Sequence, residues 1–163
     1  MLYALLVLLL VGVDQVVKYL VRTYIPWNES IPFLPHIMDL TYVKNTGAAF
    51  SIFEEHTWIL TLVSLVVSIV LCVALARKWI TRHPIGRVCL AMVLAGAVGN
   101  LIDRALFGFV TDMFQTTFIQ FAVFNVADIC VVVGGIAFCL YYLFFYEKLE
   151  GKEEGHDASG AAS

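Results

Sequence analysis

The sequence predicts an α-helical polytopic membrane protein with a small extracytoplasmic β-sheet. Of its 163 residues, 61% are hydrophobic and 14% are charged, whereas soluble domains average about 45–50% and about 25%. The apolar residues cluster in four stretches, each near the roughly 20 residues that a helix needs to cross a bilayer core of ~30 Å. A chain this short has too much surface for its volume to bury them in an aqueous core.

We predict four membrane-spanning helices. They cover about residues 2–21, 58–76, 88–109 and 125–146. The first stretch lies where a signal peptide would, but it has no basic N-terminal region or small-residue cleavage site, and it carries Asp14 and Lys18 within its apolar run. We therefore interpret it as a retained anchor.

The connection between the first two spans, residues 23–57, is long and contains the predicted β element. Three prolines come first, and alternating and β-branched residues over 38–43 then lead to the turn sequence Asn45-Thr46-Gly47. This pattern favours a small sheet lying on the membrane surface. Residues 1–150 are predicted to form one membrane domain, and the polar, small residues 151–163 are expected to be a disordered cytoplasmic tail.

The distribution of basic residues predicts the orientation of the chain. Four of the ten Lys and Arg residues lie in residues 77–87, between the second and third spans, whereas residues 108–123 contain none. Short cytoplasmic loops are enriched in Lys and Arg. We therefore expect both termini in the cytoplasm and the first and third connections outside it.

Charge and motif content exclude several classes of function. The net charge of −3 belongs to the segment from residue 147 onwards, and the rest of the chain has eight acidic and eight basic residues. It therefore offers no basic face for nucleic acid. The four histidines lie outside the predicted spans, and neither an H-E-x-x-H nor a G-x-S-x-G motif occurs. A zinc peptidase and a histidine-activated serine hydrolase are therefore unsupported.

Several ionisable side chains fall inside the predicted spans, where each costs about 2.5–3.5 kcal/mol and is a functional candidate. Asp14 and Lys18 are four residues apart, in the acid-first order that favours a helical ion pair. Asn100, Asp103 and Arg104 share a face near the outer end of the third span. The two opposite charges there indicate either a structural clamp or a pair that orients a substrate.

Two further acids flank the third connection. Asp112 follows the third span, and Asp128 lies in the first turn of the fourth, with Asn125 three residues before it on the same face. No Lys or Arg lies between Asp112 and Asp128. Two carboxylates at one membrane depth could share a proton, as an aspartic protease dyad does. Spacing alone favours the alternative of a solvated loop acid and an acid stabilised by a helix N-terminus.

Five motifs in order along the chain resemble those of the bacterial lipoprotein signal peptidases, also called signal peptidase II or prolipoprotein signal peptidase. The motifs are D-Q-x-x-K at 14–18, N-x-G-A-A-F at 45–50, G-x-x-G-N-x-x-D-R at 96–104, V-x-D at 110–112 and F-N-x-A-D at 124–128. Each motif alone is weak, but five in the right order and at the right spans are specific. The likeness extends from about residue 10 to residue 146.

The resemblance implies a membrane-embedded aspartic endopeptidase of the bacterial cytoplasmic membrane, with its active site at the outer face. Asp112 and Asp128 would be its catalytic pair. Its substrate would be a diacylglyceryl-modified prolipoprotein, cut on the amino side of the lipid-bearing cysteine, and no metal or organic cofactor is implied. The supporting residues around the substrate and the pair would be Asn45, Asn100, Asp103, Arg104 and Asn125, with Asp14 and Lys18 as structural or substrate-proximal groups.

The chain departs from the family pattern at Ala95, Met113 and Ala122-Val123, and the segment from Asp112 to Asp128 is short. None of these changes touches a catalytic side chain, but the loop changes concern the shape of the substrate gate. Two other functions are compatible with costly charges in membrane spans. One is a small transporter or channel whose charges line an ion path, and the other is a non-catalytic assembly subunit.

Overall fold

The computed structural model describes residues 1–47 and 57–149 and contains four long helices and a three-stranded sheet. The predicted tail and the Ala48-Ala49-Phe50 part of the second motif lie outside these residues. All four helices are long and apolar enough to cross a membrane, which confirms the predicted spans. The elements are α1 (Leu2–Tyr24), β1 (Ser30–Leu34), β2 (Met38–Asn45), α2 (Thr57–Arg77), α3 (Pro84–Phe107), β3 (Val110–Thr116) and α4 (Val126–Phe144).

The ends of α3 differ from the predicted residues 88 and 109 because local signals outside the apolar run set them. The helix begins at Pro84, whose fixed φ suits a first helical position, and the His83 side chain accepts a hydrogen bond from the Ile85 N–H at 3.3 Å. It ends at Gly108, which has a φ of 76°. A left-handed residue of this kind is the usual glycine stop after a helix.

The sheet is antiparallel with the order β1-β2-β3. Strands β1 and β2 lie within the predicted β element, whereas β3 comes from the connection 108–123, for which no strand was predicted. Val43 of β2 pairs with Asp112 of β3, and Asn45 pairs with Val110. The sheet therefore brings the chain before α2 and the chain after α3 side by side.

Helix α3 packs against α1, α2 and α4 and is the central helix of the bundle. Small residues allow the close approach, as two glycines of α3 show. A Cβ on Gly96 would collide with the carbonyl oxygen of Ala127, and one on Gly99 would lie 2.6 Å from an oxygen of Asp14. Interfaces of this type are favoured in membranes, where close backbone packing drives helix association.

Buried apolar residues form two clusters with buried polar residues between them along α1. One cluster lies where the sheet meets the helices and includes Val21, Tyr42 and Met113. The other contains Leu75 and Leu90 and is packed by residues of the first two turns of α1. Met113, one of the departures from the family pattern, is completely buried in the first cluster.

Candidate active site

Asp112 occupies the middle of β3 and is 2% exposed. One of its oxygens accepts a hydrogen bond of 2.8 Å from the Asn45 side-chain amide at the end of β2. The other accepts one of 2.6 Å from the Asn125 side-chain amide, which immediately precedes α4. The residue predicted to lie in a loop is therefore held by a strand, and amides fix both of its oxygens.

Asp128 lies in the first turn of α4, as predicted, and forms a reciprocal capping box with Asn125. The Asn125 side-chain oxygen accepts from the Asp128 N–H at 2.9 Å, and the Asn125 N–H donates to Asp128 Oδ2 at 3.1 Å. Asp128 Oδ1 accepts a hydrogen bond of 2.8 Å from the Asn100 side-chain amide of α3. Four elements, β2, β3, α3 and α4, thus meet around the two carboxylates.

Asn125 connects the two carboxylates in one hydrogen-bond network. Its side chain is completely buried and donates to Asp112 and, at 3.1 Å, to Asn100 Oδ1, while its backbone binds Asp128. Burial, together with the negative charge of Asp128, raises the pKa of Asp112 to about 6, against the lowering effect of the Asn45 hydrogen bond. A carboxyl group that titrates near neutral pH can hold or release a proton during a reaction.

The predicted Asp14–Lys18 ion pair is confirmed. The Lys18 Nζ lies 2.9 Å from Asp14 Oδ2, and both side chains are buried. Asp14 also accepts from the Ala127 N–H of α4 at 2.9 Å, and Lys18 donates to Asn100 Oδ1 of α3 at 2.9 Å. The pair therefore links α1 to the two helices that carry Asn100 and Asp128.

Asp103 and Arg104 have different partners, because consecutive helical residues point about 100° apart. Asp103 is completely buried, and its Oδ2 lies 3.4 Å from the Arg22 guanidinium and 3.8 Å from the Lys18 ammonium. The Arg104 guanidinium donates to the Ser64 hydroxyl of α2 at 3.4 Å and interacts electrostatically with Asp128 and Asp112. Asp103 is thus clamped by cations of α1.

Two residues of this cluster were missed in the sequence analysis. Arg22 donates to the Thr111 hydroxyl at 2.8 Å, and the Thr111 N–H donates to Asp103 at 2.8 Å. These contacts attach β3 to α1 and α3 immediately beside Asp112. The repeat of Asp14, Lys18 and Arg22 at intervals of four residues was the signal available for Arg22.

The formal charges of the cluster balance when its four carboxylates carry three negative charges between them. Three cations, Lys18, Arg22 and Arg104, face the four carboxylates Asp14, Asp103, Asp112 and Asp128. One added proton makes the cluster neutral, which is the favoured state for charges removed from water. Within residues 1–47 and 57–149, no group of three or more His, Cys, Asp or Glu residues is arranged to hold a metal ion.

The fold and the site together define a polytopic membrane protein in which the buried Asp112 and the partly buried Asp128 share one hydrogen-bond network at the end of its helices. The family model described as signal peptidase (SPase) II matches residues 6–145. The chain therefore belongs to the signal peptidase II family, and it is a membrane peptidase.

Relatives and solved structures support this membership. The chain is 40% identical over 148 residues to a lipoprotein signal peptidase of Clostridioides difficile, which covers 91% of this chain and 99% of the relative. It is 42% identical over 153 residues to the lipoprotein signal peptidase of Enterococcus faecalis, covering 92% and 93% of the two chains. A solved structure described as a bacterial membrane enzyme matches with a TM-score of 0.79 and 29% identity over 86% of this chain and 87% of that one.

Proposed function

We propose that this peptidase removes signal peptides from prolipoproteins and that Asp112 and Asp128 are its catalytic pair. The substrate class follows from relatives named lipoprotein signal peptidase that cover more than nine-tenths of this chain. The observation that carries the assignment is that Asn125 binds Asp112 through its side chain and Asp128 through its backbone. This arrangement holds two carboxyl groups in one network, as general acid–base hydrolysis of a peptide bond requires.

The reaction proceeds by proton exchange between the pair and the substrate. The ionised carboxylate accepts a proton from water as the water oxygen bonds to the scissile carbonyl carbon, and the protonated partner donates its proton to the carbonyl oxygen. The tetrahedral intermediate then collapses and the carbon–nitrogen bond breaks. The leaving nitrogen takes the proton that the first carboxyl group received from water, and a hydroxyl of the intermediate returns a proton to the partner carboxylate. The signal peptide leaves with a free carboxyl group, and the mature lipoprotein begins with the lipid-bearing cysteine.

The remaining polar residues position the pair and the substrate. Asn45, Asn100 and Asn125 orient the two carboxyl groups through the hydrogen bonds described above. Arg104 is the cation available to a substrate carbonyl, since among the described residues its guanidinium makes one hydrogen bond, of 3.4 Å, to Ser64 of α2. Asp14, Lys18 and Asp103 hold the helices and β3 in register. The reaction as written needs no metal or organic cofactor.

The site works at the extracytoplasmic membrane surface, with both termini in the cytoplasm. The basic segment 77–87 supports this orientation. A substrate anchored by a diacylglyceryl group could then keep its acyl chains in the outer leaflet while water reaches the scissile bond. In a cysteine-free background, Gln120→Cys should react with an impermeant thiol reagent in intact cells and Arg82→Cys should not. The reverse labelling would contradict this orientation.

The catalytic assignment is tested by isosteric removal of each carboxylate. We expect Asp112→Asn and Asp128→Asn each to lower kcat by about 10³-fold or more, because each removes one of the two proton-transfer groups. The assay is release of the signal peptide from a purified diacylglyceryl-modified prolipoprotein. Asp39→Asn is the matched control, because Asp39 lies in β2 but makes no described contact with the pair, and it should keep full turnover.

Two further comparisons make this test decisive. Each variant should elute like the unaltered protein in detergent micelles and remain folded at the assay pH, so that lost turnover reports chemistry. The same prolipoprotein with an unmodified cysteine should be cleaved far more slowly than the lipid-modified form. Substantial turnover by either Asp→Asn variant would refute the catalytic pair.

A further inference from the structure

Lys18 is a completely buried lysine whose contacts extend beyond the ion pair with Asp14. Its ammonium also donates to the side-chain oxygen of Asn100 at 2.9 Å and to the carbonyl oxygen of Gly99 at 3.4 Å. An ammonium group has three donors and no acceptor. Any amide that contacts it must therefore present its oxygen, and this constraint fixes the orientation of the Asn100 side chain.

The orientation of Asn100 in turn determines that its amide nitrogen, rather than its oxygen, faces the two carboxyl groups. With its oxygen towards Lys18, the Asn100 amide directs its nitrogen to Asp128 Oδ1 at 2.8 Å. The same oxygen accepts a hydrogen bond of 3.1 Å from Asn125, whose nitrogen also donates to Asp112. The Lys18 ammonium is thus connected to Asp128 through Asn100, and to Asp112 through Asn100 and Asn125.

Asp128 and Asp112 stand in unequal surroundings. Asp128 accepts from Asn100 and from a backbone N–H in the first turn of α4, where the helix dipole also favours negative charge. Asp112 lies on a strand and, among the described residues, accepts from the side-chain amides of Asn45 and Asn125. The first turn of α4 therefore favours negative charge at Asp128, whereas the strand places no helix N-terminus at Asp112.

We propose that Lys18, acting through Asn100, is the positioning residue that makes Asp128 the ionised member of the pair and leaves the resting proton on Asp112. This rests on the proposed catalytic pair. Asp128 then accepts the proton of the attacking water, and Asp112 protonates the carbonyl oxygen. Without Lys18, the Asn100 oxygen keeps only the 3.1 Å hydrogen bond from Asn125 among the described residues. The amide is then held less firmly against turning its oxygen towards Asp128, where an oxygen favours the protonated form of the carboxyl group.

The other charged groups around the pair come from every element packed against it. Apart from the pair itself, these groups comprise three cations and two acids and carry a net charge of +1. Helix α2 contributes the Ser64 hydroxyl to Arg104. Lys18 is distinguished from the other cations because it reaches the pair through a directed hydrogen bond. The groups are Asp14, Lys18 and Arg22 of α1, Tyr42 of β2, Asp103 and Arg104 of α3, Asp112 of β3 and Asp128 of α4.

The test uses double variants, so that no buried acid loses its only counter-ion. Asp14→Asn retains the oxygen that accepts from the Ala127 N–H, and it is combined with Lys18→Met or with Lys18→Gln. Both combinations lack the ammonium, but glutamine can still donate a hydrogen bond to Asn100 and methionine cannot. The pH profile of kcat/KM is measured for both with a lipid-modified prolipoprotein, using Asp14→Asn alone as the reference.

We expect the methionine variant to shift the acid limb of the profile upward by about one pH unit and to lower kcat about tenfold with little change in KM. The glutamine variant should restore the reference profile. An unshifted methionine variant would overturn the proposal. Equal shifts in both variants would also overturn it, because they would show that charge acts without the directed hydrogen bond.

A second variant covers the case in which the methionine combination fails to fold. Asn100→Ala removes the same link and leaves the Asp14–Lys18 pair intact. It should shift the acid limb by the same amount, and adding Asp14→Asn/Lys18→Met where that combination folds should add nothing. Failure of the catalytic pair itself is recognised separately, because turnover would then survive in Asp112→Asn or Asp128→Asn.

Discussion

Asn125 has two roles: it caps the N-terminus of α4, and it connects the two carboxylates through hydrogen bonds. Substitutions can separate these roles. Asn125→Ser keeps an oxygen that can accept from the Asp128 N–H, but it has no amide nitrogen for Asp112 or Asn100. Asn125→Ala removes the cap and the link together. The two variants should therefore differ in stability and resemble each other in activity.

The sizes of the stability changes follow from the lost contacts. Loss of an N-cap hydrogen bond costs about 1 kcal/mol. A buried group deprived of its partner costs about 1–3 kcal/mol, and this applies to the Asp112 oxygen, which loses a contact of 2.6 Å. Asn100 keeps Lys18 as a donor and contributes little. We expect unfolding free energies lowered by about 2–4 kcal/mol in Asn125→Ala and by about 1 kcal/mol less in Asn125→Ser.

Activity should fall about 10²-fold in both variants, because an unguided Asp112 carboxyl group spends less time in the reactive geometry. The Asn125 hydrogen bond also lowers the pKa of Asp112. Its loss moves that pKa further above the ordinary value of 3.8, so the alkaline limb of the kcat/KM profile, where Asp112 loses its proton, should move to higher pH.

The assay is cleavage of a lipid-modified prolipoprotein across the range in which Asp112 titrates, alongside denaturant unfolding in micelles. Two results would refute the reasoning. Full turnover in Asn125→Ser would reduce Asn125 to a helix cap. Equal stability of the serine and alanine variants would show that the cap contributes nothing to the fold.

Two other predictions concern packing and pH. Gly96→Ala should lower the unfolding free energy by about 1–3 kcal/mol because its Cβ would meet the Ala127 carbonyl, whereas Gly135→Ala, with nothing within 4 Å, is a neutral control in the same unfolding assay. The raised pKa of Asp112 means that the folded state binds its proton more tightly than the unfolded chain. Stability should therefore fall by at most about 3 kcal/mol as pH rises from 3.8 to about 6, and Asp112→Asn should lack this component; an unchanged pH dependence would contradict it.

The four spans could be predicted because hydropathy is a local property of each segment. Their ends were less accurate, since the start and the end of α3 depend on Pro84 and Gly108. Strand β3 was missed for a different reason. Its seven residues have weak alternation, and they become a strand by pairing with β2, which lies more than sixty residues earlier in the chain. The pairing of two strands could not be deduced from the sequence of one of them.

The same division applies to the site. The Asp14–Lys18 pair was predictable because both residues lie on one helix at a spacing that brings them together. The cations that contact Asp103 come from α1. The sequence pattern indicated only Arg104, its neighbour along the chain, as the opposite charge. For Asp128, spacing favoured a helix N-terminal acid, and the capping box has that geometry, yet the same carboxylate also belongs to the Asn100 network. The two interpretations were not exclusive.

The buried charges explain how a strand outside the bundle can hold a carboxylate in register with one on a helix. Thr111, next to Asp112, donates its N–H to Asp103 and accepts from Arg22, so α1 and α3 fix the backbone of β3. A neutral residue at Asp103 would leave the partly exposed Arg22 without its carboxylate and the Thr111 N–H without its acceptor, which lowers stability. The clamp therefore fixes the position of β3 as well as contributing to stability. Because it acts on Asp112 through the backbone, its loss should affect turnover before it unfolds the protein.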